Sequence, residues 1–295
     1  VLHGVRVSAP AKVNLYLHVG GLLPSGYHAV RSVLHTLELS DELRIVESPR
    51  LALSCDEDLG VPPQENLVWR AATAMGAALG RELDFEIRLS KRIPHGAGLG
   101  GGSSDAAATI AGLAHVWGVD PLGRRCLEVA RSLGADVPFF LYGGAALMGG
   151  RGDVLVRRLP PLAAPVLLVR PAQPVPTAAA YRAFDAAPVS VDDEDGIVAA
   201  LGSSDLEAVA QALANNLAPA AIAVVPEVGE ALAWARAQDG VFAAEVAGSG
   251  SAVFALVDSG ARASVLARDA SARGWWGIST GLRPQGVMVT EEESA

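Results

Sequence analysis

The chain has little sulfur chemistry to offer, with Cys55 and Cys126 its only cysteines. They stand far apart without His or Cys companions at metal-ligand spacing, which argues against a disulfide framework and a zinc site. Both are expected as buried apolar side chains. No apolar run reaches the roughly 18 residues of a membrane span. The opening stretch V-L-H-G-V-R-V-S-A-P-A-K has no apolar segment behind a basic start. Neither a span nor a signal peptide is therefore expected, and the cytoplasm is the default compartment. Basic clusters are missing too. With 23 Lys and Arg against 32 Asp and Glu, the net charge is −9, which works against nucleic acid as a partner. A polyphosphate would have to be met by local donors.

What is present suits a globular protein with a sizeable core: 295 residues, 51% hydrophobic and 19% charged. That length fits two domains. Pro160-Pro161 and the following L-A-A-P mark a plausible boundary, dividing the chain into residues 1–160 and 161–295. Strands and helices mix without strict alternation in the first half, which points to an α+β fold.

One stretch speaks to chemistry. From Ile93 to Ala108 the chain reads I-P-H-G-A-G-L-G-G-G-S-S-D-A-A-A, with glycines at Gly96, Gly98, Gly100, Gly101 and Gly102. Glycine lets backbone N–H groups approach a ligand that a Cβ would hold off. Ala106, Ile110, Leu113 and Trp117 follow at helical spacing, so the loop opens onto a helix N-terminus, where unpaired N–H groups favour an anion. Gly96, Gly98 and Gly101 match the dinucleotide pattern G-x-G-x-x-G. That motif also needs a strand running straight into the loop and an acid about 20 residues on. The strand candidate Phe85 to Leu89 is separated from the loop by Ser90 to His95, and Asp120 precedes Pro121 as a helix N-cap would. A Walker loop fails as well, because Gly102-Ser103 stands where Gly-Lys-Ser/Thr is required. The reading is a phosphate loop of another kind. A helix cap by Ser103 or Ser104 is compatible with it.

Elsewhere the local signals are plainer. Val5 to Ser8 and Leu15 to Val19 read as short strands, with Pro10 breaking the ladder between them and Lys12 and Asn14 on one face. L-P-S-G-Y-H is a turn that sets Tyr27 beside His28. Val33 to Leu39 and Leu43 to Glu47 read as a hairpin about Ser40-Asp41. Asn66 caps a helix ended by Gly80. In G-A-D-V-P-F-F-L, Asp136 stands at the N-cap of a one-turn helix. Ala145 to Met148 and Val154 to Leu159 form a hairpin about G-G-R-G-D. In the second half Thr177 caps a helix carrying Tyr181, V-D-D-E-D-G is a mobile acidic loop, and Gly248 to Ser251 is a glycine turn between two strands.

Four ordered segments, P-A-K-V-N-L-Y-L, P-H-G-A-G-L-G-G-G-S-S-D-A-A, G-A-D-V-P-F-F-L and A-G-S-G-S-A-V-F, together resemble the GHMP kinases, the family of galactose, homoserine, mevalonate and phosphomevalonate kinases. The resemblance implies a two-domain GHMP kinase fold, with an N-terminal domain like domain 2 of ribosomal protein S5 and a ferredoxin-like C-terminal domain. It implies transfer of the γ-phosphoryl of ATP to a hydroxyl of a small molecule, with Mg²⁺. Within the family, the resemblance carried by the P-S-G-Y-H stretch and the triple glycine implies a diphosphocytidyl-methylerythritol of the non-mevalonate isoprenoid route as the acceptor. By position, the resemblance makes Asp136 the base for the acceptor hydroxyl and Lys12 its cationic neighbour. Pro94, Gly96, Gly98, Leu99, Gly100, Gly101, Gly102, Ser103 and Ser104 would hold ATP, with one of the serines near Mg²⁺. Asn14 and His28 would hydrogen-bond the acceptor, Tyr27 would stack on cytosine, and Tyr181 would be a second aromatic wall. The family's usual S-G-S-G-P is here Ala247 to Ser251, and Gly152-Asp153 stands for Gly-Glu. A monomer and a homodimer are both open.

Overall fold

The computed structural model describes residues 4–292. Two sheets organise it. The first contains β1 (Val5–Leu22), β2 (His28–Glu47), β3 (Ala52–Cys55), β4 (Phe85–Ser90), β5 (Ala145–Gly149) and β6 (Val154–Leu159). It is covered by α1 (Leu67–Leu79), α2 (Gly101–Val116), α3 (Arg124–Leu133) and α4 (Val137–Tyr142). The second half of the chain supplies β7 (Pro165–Arg170), α5 (Thr177–Ala186), α6 (Asp195–Ser203), α7 (Leu206–Gln211), β8 (Ala214–Asn215), α8 (Ala218–Val224) and α9 (Pro226–Arg236). It ends with β9 (Val241–Val246), β10 (Val253–Val257), α10 (Gly260–Ala272), β11 (Trp276–Gly281) and β12 (Met288–Glu291). Strands β11-β7-β10-β9 form an antiparallel sheet in that order, the strand arrangement of a ferredoxin-like unit. β8 and β12 leave it and pair with β1 in the first sheet.

β1 and β2 hold the architecture together because each serves two sets of neighbours. The first half of β1 pairs with β12 and its second half with β8, while β2 pairs with β5 near Ser32–His35 and with β4 near Glu42–Glu47. The sequence suggests breaks at Pro10 and at Ser40-Asp41, yet both strands run through. Pro10 sits where the β1/β2 register shifts between Pro10 and Lys12, so its missing N–H coincides with an irregularity in the ladder. Asp41 is not a turn residue. It is buried in mid-strand, accepts N–H bonds from Arg92 (2.5 Å) and Ile93 (2.8 Å), and pairs with the Lys91 ammonium.

Helix α2 lies against β1 with residues Ser104 to Ala114 all buried, an Ala- and Gly-rich surface that lets backbones approach closely. At Gly112 a Cβ would come within 2.6 Å of Ile45 Cδ1. Its N-cap is Gly100 in the left-handed region, and neither Ser103 nor Ser104 supplies a cap bond. The expected Asp136 cap is absent as well: Asp136 holds the N-cap position of α4 without a side-chain cap bond. Asp120 bonds the Leu122 N–H in a turn, and α3 starts later, at Arg124. Thr177 is the first residue of α5, and its hydroxyl meets Ser249 Oγ at 3.1 Å. The acidic segment is tied down, because Tyr16 Oη donates to the Asp192 carbonyl (2.7 Å) and Arg31 pairs with Glu194. Cys55 and Cys126 are free thiols, partly and fully buried.

Candidate active site

The glycine loop lies between β1 and the turn that joins β9 to β10. Lys12 N–H donates to the Leu99 carbonyl (2.9 Å) and Ala252 N–H to the Ala97 carbonyl (3.0 Å). This packing explains the glycines position by position. A Cβ at Gly98 would sit 2.1 Å from the Ala247 carbonyl oxygen, and one at Gly100 would sit 2.8 Å from the Phe140 ring and 3.1 Å from Lys12 Cγ. Both residues have positive φ, 78° and 76°. So part of the glycine content answers to close packing, and part leaves N–H groups free for a ligand.

Two clefts meet at this loop. One, with a cavity of ≈ 330 Å³, is lined by Asn66, Leu67, Lys91 and the run from Ile93 to Ser103. The other, ≈ 340 Å³, is lined by Lys12, Asn14, Ser32, Asp136, Arg151, Tyr181, Gly248 and Ser249. Gly98, Gly100 and Ser103 belong to both. The two clefts are therefore neighbours with part of the loop as a common wall.

In the second cleft Lys12 and Asn14, two apart on β1, share a face as strand geometry requires. Lys12 Nζ donates to Asn14 Oδ1 (2.8 Å), Asn14 Nδ2 to Ser32 Oγ (2.9 Å), and Ser32 Oγ to the Tyr16 carbonyl (2.7 Å). This chain of bonds fixes the buried ammonium, which lies 3.5 Å from Asp136 Oδ2. The Asp136 side chain keeps 34% of its surface, so one oxygen can face a ligand. Gly248 crowds the pair: a Cβ there would meet Lys12 Nζ at 3.2 Å and Asn14 Oδ1 at 3.3 Å. Burial, with a smaller push from Asp136, raises the Tyr181 phenol to about 12, which keeps its hydroxyl a donor at neutral pH.

Tyr27 and His28 lie beside the cleft, not in its wall. The His28 ring is 5.2 Å from that of Tyr181, and its Nε2 is 2.8 Å from Asp185. Tyr27 is exposed, with the Arg151 guanidinium 5.2 Å over its ring. Each therefore touches a residue that does line the cleft. Sequence reasoning missed Ser32 and Arg151, along with the buried Asp41–Lys91–Asp105 cluster. An Arg in a Gly-rich turn and a Ser in a strand carry no local signal. The cluster joins residues 14 and 50 positions apart.

Ser103 lines both clefts, whereas Ser104 is fully buried and its hydroxyl has no partner among the described residues. Among the described residues no three His, Cys, Asp or Glu side chains converge as a metal cage. That fits a divalent ion held mostly by substrate phosphates, as Mg²⁺ commonly is.

A strand lysine coupled to an aspartate at the start of a short helix, a glycine loop at a helix N-terminus and a ferredoxin-like second unit define a small-molecule kinase. Residues 66–144 match the family model described as GHMP kinases N terminal domain, and residues 197–274 match GHMP kinases C terminal. The chain belongs to the GHMP kinase family. Within it, the chain is 42% identical over 259 residues to 4-diphosphocytidyl-2-C-methyl-D-erythritol kinase of Pelotomaculum thermopropionicum, covering 85% of this chain and 88% of that protein. It is 38% identical to the kinase of the same name from Salinibacter ruber, covering 86% and 90%. A crystal structure of 4-(cytidine 5'-diphospho)-2C-methyl-D-erythritol kinase superposes with a TM-score of 0.78 at 34% identity, covering 94% of this chain and 98% of that one. Homoserine kinase from Cytophaga hutchinsonii shares the fold, with a TM-score of 0.75 at 20% identity and 98% of each chain covered.

Proposed function

We propose that this GHMP kinase transfers the γ-phosphoryl of ATP to the 2-hydroxyl of 4-diphosphocytidyl-2-C-methyl-D-erythritol, a step of non-mevalonate isoprenoid synthesis in the cytoplasm. The observation that carries the reading is the Lys12–Asp136 couple, 3.5 Å apart, in a cleft that shares its glycine-loop wall with a second, nucleotide-sized cleft.

Phosphoryl transfer leaves a protein little covalent work, so positioning and electrostatics dominate. The cleft beside Asn66 and Leu67 takes the nucleotide, and the free N–H groups of residues 98–103 take its phosphates. That directs the terminal phosphoryl to the shared wall at Gly100, against which Lys12 packs. Asp136 accepts the proton of the acceptor hydroxyl, since its oxygens are not used for capping. Lys12, held by Asn14, offsets the charge that builds on the transferring group. Tyr181 and Tyr27 bound the cytosine end, with His28 between Tyr181 and Asp185. Mg²⁺ would neutralise phosphate charge, held by phosphate oxygens and Ser103. We assign residues 1–160 to the ATP-binding and catalytic unit and 161–295 to the second.

Release of ADP, followed with a panel of diphosphocytidyl-methylerythritol, mevalonate, homoserine and galactose, tests the assignment. Turnover with the first compound alone is expected. Turnover of another panel member in its place would overturn the acceptor, and ATP binding without transfer to any of them would overturn the kinase reading.

A further inference from the structure

The proposed acceptor carries a diphosphate between its cytosine and its polyol, so its charge falls between the aromatic end of the cleft and Asp136. The inference here rests on that reading and asks which group meets the charge. Lys12 and Arg151 are the cations of the cleft wall, and Asp136 is its only acid among the described residues. Lys12 is committed at the hydroxyl end, to Asn14 at 2.8 Å and Asp136 at 3.5 Å. Arg151 stands at the other end, its guanidinium carbon 5.2 Å over the Tyr27 ring.

Arg151 is held in place by the protein and still has donors to spare. Its Nε meets Asp153 Oδ2 at 3.1 Å and its Nη2 donates to the Arg131 carbonyl at 2.5 Å. The turn that carries it needs positive φ at Gly150 (69°) and Gly152 (102°). The Gly150 carbonyl also accepts from Val30 N–H at 2.8 Å, which anchors the turn two residues beyond His28. A guanidinium has further N–H donors in the same planar fork, and no other acceptor takes them among the described residues. A planar, pre-oriented fork of this kind matches phosphate oxygens. The Asp153 that replaces the family's Glu is the residue that orients it.

We propose that Arg151 clamps the diphosphate of the acceptor, and that its stack on Tyr27 makes the base wall and the phosphate clamp one unit. Arg151 is then a specificity residue for cytidine diphosphate esters, with no part in the chemical step. In the absence of such a role it would only brace the turn against Arg131.

The test compares cytidine 5'-diphosphate with cytidine as ligands of the full chain, the nucleotide cleft being filled with a non-hydrolysable ATP analogue. The wild type should bind the diphosphate more tightly than the nucleoside. Arg151→Met should cut that preference by about 10-fold or more, the size of a lost charge-assisted hydrogen bond. Cytidine itself should change by no more than about 3-fold, the smaller share of the ring stack. Arg151→Lys, which keeps the charge and loses the fork, should fall between. In steady state the acceptor KM should rise by the same factor, while kcat and the ATP KM hold. Equal losses for both ligands, or a lower Tm with an unchanged preference, would overturn the clamp and leave Arg151 as a turn brace. Wild-type protein that takes up neither cytidine compound would overturn the acceptor reading and the clamp with it.

Discussion

Replacing Asp136 with Asn separates the two roles a carboxylate can have at a helix start. Asn matches Asp in size and in capping rank, and in this structure there is no cap bond to lose. The electrostatic cost of folding is also small. The Lys12–Asp136 distance is 3.5 Å with Asp136 one-third exposed, so solvent screens the pair, and about 1 kcal/mol is the scale of its contribution. Lys12 is buried and Asp136 is the only acid beside it in the cleft wall among the described residues, which adds to that cost. It keeps the Asn14 oxygen at 2.8 Å, and the amide oxygen of the substituted side chain could still face it. The expected shift in Tm is therefore a few degrees at most. What Asn cannot do is take a proton at neutral pH. A positioned general base contributes about 10² to 10⁴ in rate, so kcat should fall by that factor with both KM values within about 3-fold of wild type, uniform binding being untouched. The assay is ADP release at saturating substrates alongside thermal melting. A variant that lost stability and kept kcat within a few-fold would refute the assignment of Asp136 as base.

Three further substitutions probe the rest of the site. Tyr27→Ala should raise the acceptor KM by the roughly 1 to 3 kcal/mol of a base stack and leave the ATP KM alone; equal effects on both would move Tyr27 out of the site. Gly102→Val should weaken ATP binding without unfolding the chain, because a Cβ there meets only Leu67 at 3.5 Å while the branched methyls enter the nucleotide cleft; unchanged affinity by calorimetry would make the loop structural. Gly100→Val is a poorer probe, since its Cβ strikes Phe140. Asp105→Asn addresses pH. Burial pushes the Asp105 carboxyl up to about 8 despite Lys91, with Asp41 adding to the rise. The folded state thus binds a proton that the unfolded state has released, and the contribution of Asp105 to stability falls as pH climbs from about 4 to about 8. The Tm of Asp105→Asn relative to wild type should rise across that window, and a constant difference would mean that Asp105 is ionised in the fold.

How much could be read beforehand followed the range of the interactions. The glycine loop opening onto a helix N-terminus and the strand face shared by Lys12 and Asn14 were legible, because glycine spacing and the two-residue strand period are local. The roles of Lys12 and Asp136 came only from resemblance, since nothing within several residues of either distinguishes a solvated lysine or a cap from a buried couple. Reading Pro10 and Ser40-Asp41 as breaks failed for a physical reason. Turn propensity competes with ladder pairing, and here β1 and β2 gain partners along their whole length, which outweighs local preference. Asp41 reads as a turn former from its type and is instead the buried acceptor of two backbone N–H groups. The α6 helix was hidden by the acidic run before it, whose anchors, Tyr16 and Arg31, lie in the other half of the chain.

The return of β12 to β1 sets an order of assembly. Val5 pairs with Glu291, and Arg6 bonds Glu292 across 286 positions of chain. During synthesis the Val5–Ser8 edge of β1 waits for β12 until the chain 286 positions further on has left the ribosome. An open strand edge is a template for other chains, and Val13, Leu15, Val33 and Leu37 pack against Val166, Leu168 and Phe254 of the second half, so a fragment ending near residue 160 should associate through both its open edge and its uncovered apolar side chains. The same adjacency brings the two ends of the described chain side by side on one sheet. Joining them and opening the chain at an exposed turn elsewhere would turn that late, long-range pairing into an early, local one, and a permutant built this way should refold faster than the natural order.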